Sequence, residues 1–174
     1  MIPPEERRHL TDGPRPNERP GGAGTVLVYV RAGEDIRMIL ERCRSVMLTI
    51  LDNSGQRWPS VERWRQILPE WFVAACAPEP SREEAERDLA RWRALSPAEQ
   101  RREAREEQWT LADWLFWLEP SERQWYWWDA TAKSHDALLV TVEVPGWPAP
   151  LGALEWLLRA AGASEVFRKE DQPI

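Results

Sequence analysis

The chain has 174 residues, 29 acidic against 23 basic, a formal net charge of −6, and 43% hydrophobic and 30% charged residues. This is the composition of one globular domain able to bury a core without staples, and it excludes a disordered chain. The acidic balance argues against nucleic acid as a partner, since that binding rests on neutralising phosphates, and no apolar run approaches the roughly 18 residues that cross a bilayer.

Residues 1–24 hold five prolines and four glycines with little that is apolar. They are predicted to be a flexible Pro/Gly-rich tail ahead of a single globular domain over 25–174, with His9 and Leu10 as its only anchors. The opening Met1-Ile2-Pro3-Pro4-Glu5-Glu6-Arg7-Arg8 lacks the basic-then-apolar layout of a signal peptide. Thr25–Val30 is a β-branched, nearly continuous apolar run, the pattern of a strand buried on both faces. Ile36, Ile39, Leu40 and Cys43 share one face of a short helix. Val46–Leu51 is apolar apart from Thr49 and reads as a second strand, closed by the turn residues Asp52-Asn53-Ser54-Gly55. Strand, helix, strand suggests a βαβ unit; the helix is short for a crossover, so a hairpin-like arrangement is the alternative.

Val61, Trp64, Ile67 and Leu68 line one side of a helix opened by Pro59-Ser60, and Pro69 kinks it or starts the next, through Trp71–Ala75. Three capping signatures follow. Ser81 with Glu84 and Ser96 with Glu99 match the capping box, and Thr110 with Asp113 is its acidic variant. The first of these helices is expected to bury Ala85, Leu89 and Trp92. The second has almost no apolar face, and its alternating Glu and Arg residues read as a solvated, ion-paired surface. The third presents Leu111, Trp114, Leu115 and Leu118 inward, with Phe116 and Trp117 beyond that stripe, and Pro120 ends it.

Residues 124–132 and Ala137–Val144 read as an antiparallel hairpin around Lys133-Ser134-His135-Asp136, since Leu138, Val140, Val142 and Val144 alternate along the second strand. Symmetric pairing sets Trp125, Trp127 and Asp129 opposite Val144, Val142 and Val140, and puts Tyr126 and Trp128 outside with Glu143 and Thr141. A last helix runs from about Pro150 to Ala161, and Gly162 stops it. The expected class is α+β: a small mixed sheet with a βαβ-like start and an antiparallel C-terminal hairpin, covered by several helices.

Twelve tryptophans accompany only 3 Phe and 2 Tyr. Residues 108–174 carry ten acidic and five basic groups, so nearly all of the net charge sits with the hairpin and the last helix. Aromatic anchors ringed by acids suit a protein partner with a basic surface. The expected contact residues are Trp117, Tyr126, Trp128, Glu143 and Trp147, and the expected function is a non-catalytic protein–protein interaction module of a bacterial cytoplasm: an adaptor, an immunity- or antidote-like protein, or an assembly component. The alternative is a small-ligand binder for a sugar or nucleotide, or a small hydrolase, with Asp129 on an apolar face as acid/base.

No cofactor or metal is expected. Two cysteines without CxxC spacing and two histidines make a poor zinc set and read as inert thiols in a reducing compartment. Phosphate-cradling glycine patterns are absent. Ser134-His135-Asp136 spells a triad, but adjacent side chains on a turn diverge.

Overall fold

In the computed structural model, residues 5–33, 35–55, 57–106 and 108–168 are described, apart from the side chains of 101 and 104–106. The alternating valines of β1 (Gly24–Ala32) set the architecture: Val26, Val28 and Val30 point into the core, while Leu27 and Tyr29 lie half-buried on the other face. β1 pairs antiparallel with β3 (Ala137–Val144) on one side and with β4 (Ala163–Arg168) on the other. β3 in turn pairs antiparallel with β2 (Tyr126–Ala132), giving the order β2-β3-β1-β4. The class is therefore α+β, and the C-terminal hairpin is present.

The mixed sheet and its βαβ-like start need correction. Val46–Leu51 is not a strand; it continues α2 (Ile36–Asn53), whose buried residues are Ile36, Ile39, Cys43, Val46, Met47 and Ile50. One helical stripe runs through both segments, and no breaker separates Cys43 from Val46. Asp35 starts the helix by accepting from the Arg37 N–H at 3.0 Å. The missing parallel strand is replaced by a different connection. β3 leads through α8 (Gly152–Ala160) to β4 with β1 between them, and β1 leads to β2 with β3 between them. Two interleaved split β-α-β units of this kind make a ferredoxin-like strand order. β4 carried too short a signal to be read as a strand; its order comes from pairing with β1.

The first connection is long. It carries α3 (Val61–Ile67), α4 (Glu70–Ala75), α5 (Arg82–Ala94), α6 (Pro97–Glu106) and α7 (Leu111–Phe116). All three expected caps form: Ser81 and Glu84 exchange hydrogen bonds, as do Ser96 and Glu99, and Thr110 accepts from the Asp113 N–H. One core cluster joins the valine face of the sheet to α2, α3, α7 and α8, with Trp64, Phe72, Trp114, Trp125 and Trp127 at its centre. The Trp114 indole N–H reaches the Ala153 carbonyl at 2.9 Å and ties α7 to α8.

Ala85, Leu89 and Trp92 do not form the expected inner face. α5 buries no residue, and Leu89 is 48% exposed. Arg91 pairs instead with Glu103 at 2.8 Å, and the Gln100 amide donates to the Trp92 carbonyl, so α5 is linked to α6. Of the Glu–Arg series expected as a solvated face, the side chains of Arg101, Arg105 and Glu106, and all of Glu107, lie outside the described residues.

Residues 5–24 are not the floppy tail their composition suggested. They include a helix, α1 (Glu6–Asp12), that buries Glu6, His9 and Leu10. Its basis is a buried ion pair. Arg123 donates through both terminal nitrogens to the two Glu6 carboxylate oxygens, and both side chains are fully enclosed. The Glu6 carboxylate also accepts the Trp127 N–H at 2.7 Å, covering the edge of β2.

Candidate functional site

The five residues expected to form one contact patch do not converge. Tyr126 and Trp128 are each only 9% exposed. A bulge between Trp127 and Asp129 makes Trp128 the extra residue of its strand, and its ring lies 4.4 Å from the His9 ring of α1. Glu143 is the cross-strand partner of Tyr126 and is half-buried beside the segment that leads into β1. A Cβ on Gly22 would stand 2.4 Å from the Val144 carbonyl oxygen, so only glycine allows that approach. The expected outer surface of the hairpin is thus occupied by the chain's own N-terminal segment. Trp147 is different: it is 55% exposed on the loop between β3 and α8. Trp117 sits elsewhere, half-buried at the C-cap of α7.

The same bulge moves Asp129. Symmetric pairing put it opposite Val140 on the apolar face; it stands opposite Thr141 instead, and Ala130 takes the Val140 position. Its carboxylate accepts from the Thr131 hydroxyl at 3.2 Å. The apolar surroundings that motivated an acid/base role are therefore absent. The Ser134 hydroxyl donates directly to Asp136 at 2.5 Å, and His135 projects into solvent with no part between them.

Around α1 the charges are organised. Arg8 lies 2.6 Å from a Glu18 carboxylate oxygen, which is also 2.9 Å from the His9 ring nitrogen. The Arg15 N–H donates to Glu18 at 2.6 Å. That backbone donor first, then His9 and Arg8, holds the Glu18 carboxyl down at about 2. Arg7 and Asp52 link α1 to the end of α2. Burial pushes the Cys43 thiol up to about 12 and Cys76 up to about 11, so neither is an activated nucleophile at neutral pH.

A concave site lies on the α7 side of the molecule. Gln108, Trp109, Thr110, Asp113 and Trp117 line a groove of about 260 Å³. The Trp109 wall is closely packed. The Trp109 carbonyl accepts the Ala77 N–H at 2.9 Å, and the Trp109 ring lies so close to Gly152 that a Cβ there would stand 2.9 Å from it. Trp117 lies edge-on to Phe116, with ring centres 5.5 Å apart. The Asp113 side chain is exposed, and among the described residues no basic group lies within ion-pair distance of it. Phe116 beside the groove is 49% exposed.

Sequence reasoning singled out Trp117 but missed Trp109, Gln108 and Asp113 as its neighbours. Thr110-x-x-Asp113 was visible as a helix start, and a Trp just before a cap is ordinarily read as packing. The signal that sets it apart is Gly152, which leaves room for the indole in an otherwise apolar helix start.

Among the described residues no group of three or more His, Cys, Asp or Glu side chains is placed to hold a metal ion, and no helix is long and apolar enough to cross a membrane. No protein-family model, curated protein or solved structure matches the chain.

Proposed function

We propose that the protein is a non-catalytic protein–protein interaction module, an adaptor or assembly component of the bacterial cytoplasm, and that it binds through exposed aromatic side chains, Trp147 on the loop between β3 and α8 and Phe116 at the end of α7. The observation that carries this reading is the exposure of these two rings, at 55% and 49%, in a molecule that buries Trp64, Trp114, Trp125, Trp127, Trp128 and Trp156. A large aromatic side chain left in water gains most from being covered by a partner. Ten acidic against five basic residues over 108–174 favour a basic partner surface. Two unbridged thiols suit a reducing compartment.

The test places a photo-crosslinking amino acid at position 147 or at position 128 in the native host. A discrete adduct from position 147 and none from position 128 is expected. Equal labelling at both positions, or none at either, rejects the proposed surface.

A further inference from the structure

We infer that the Trp109–Trp117 groove is the seat of an arginine side chain presented by the partner protein, an inference that rests on the interaction reading above. The argument begins with the way this molecule holds its own guanidinium. Arg123 is bound by the Glu6 carboxylate through two nitrogens and lies over the Trp125 ring at 4.7 Å and the Tyr126 ring at 5.3 Å. Carboxylate and aromatic face together satisfy both properties of the group, its charge and its flat, weakly hydrated surface. The groove brings together the same residue types: Asp113 with Trp109 and Trp117, and Gln108 and Thr110 beside them. Here, among the described residues, no guanidinium fills it.

Size narrows the occupant. At about 260 Å³ the groove falls below the roughly 300–1,000 Å³ of sites that enclose a whole small-molecule ligand, and suits one side chain. Charge narrows it further. Glu79 sits next to the groove, accepting the Ala112 N–H at 3.0 Å. Among the described residues, Arg65 lies 3.9 Å from Glu79, and no basic side chain lines the groove. Arginine fits better than lysine because the guanidinium stacks on indole and offers paired donors to a carboxylate, whereas an ammonium keeps its water. Because the Trp109 ring is packed against Gly152, little ordering of that wall is lost when the site fills.

The experiment titrates the full chain with a blocked Gly-Arg-Gly peptide, its citrulline counterpart and methyl glucoside, and follows the indole N–H signals by NMR. Trp109→Phe and Trp117→Phe identify their two signals. The arginine peptide is expected to shift both, the citrulline peptide and the glycoside neither, and Asp113→Asn to weaken binding about tenfold, as loss of a charged hydrogen bond implies. Equal shifts with citrulline, a response to the glycoside alone, shifts confined to other tryptophans, or none up to roughly 10 mM peptide each overturn the inference. The two readings separate cleanly: crosslinking at position 147 with no peptide response keeps the interaction module and removes the arginine site.

Discussion

α1 and the α5–α6 pair are held by opposite means. α1 has seven residues and no side-chain cap, yet Glu6, His9 and Leu10 are buried. α5 has thirteen residues, a complete capping box and acidic and basic ends matched to its dipole, yet buries none. Caps and pair spacing decide whether a segment is helical; whether it docks depends on a few long-range anchors. A carboxylate that meets a buried guanidinium and a strand N–H fixes α1 to the hairpin more firmly than Leu89 and Trp92 fix α5 to anything.

Removing one member of the buried pair breaks this contrast most severely. Glu6→Ala leaves Arg123 enclosed and unpaired, and should cost about 3–5 kcal/mol in urea unfolding. Replacing both partners, Glu6→Leu with Arg123→Met, should recover most of that loss; an equally unstable double variant would show that the charges themselves are needed. Next come two leucines of opposite fate. Leu10→Ala should lower stability by roughly 2–5 kcal/mol and Leu89→Ala by no more than about 0.5. Equal losses would mean that α5 packs in solution.

The smallest effect is a pH dependence. Glu18 titrates at about 2 in the fold against 4.5 for the isolated group. A depressed carboxyl stabilises the fold above its unfolded pKa, so this contribution is complete above pH 4.5 and fades as the pH falls toward about 2. Glu18→Gln should flatten the denaturation midpoint across that window, and an unchanged pH profile would remove Glu18 from the account of α1 docking.

Local signals in the sequence carried far. The caps at Ser81, Ser96 and Thr110, the valine alternation of β3 and the turn at 133–136 each depend on neighbours within a few residues, and each forms. What was not legible depends on distant partners. The apolar run Val46–Leu51 fits either period, and its helical stripe shows only when joined to Ile36, Ile39 and Cys43. The bulge at Trp128 moved Asp129 by one register step and turned a supposed buried acid to the opposite face. Glu6 and Arg123 gave no sign of each other across the sequence, and so the cover over Tyr126 and Trp128 was invisible. Trp147, on the loop between β3 and α8, is 55% exposed.

The sheet order has a consequence for how the chain is made. β1 leaves the ribosome before either of its two neighbours, β3 and β4, so Val26 waits for Val142 and Val30 for Val166. Until β3 has been synthesised, Thr25–Val30 is an apolar segment with no strand of this sheet to join, the kind of sequence that nascent-chain chaperones bind. Translation speed between residues 33 and 137, more than the stability of the finished fold, then decides how long that segment remains exposed.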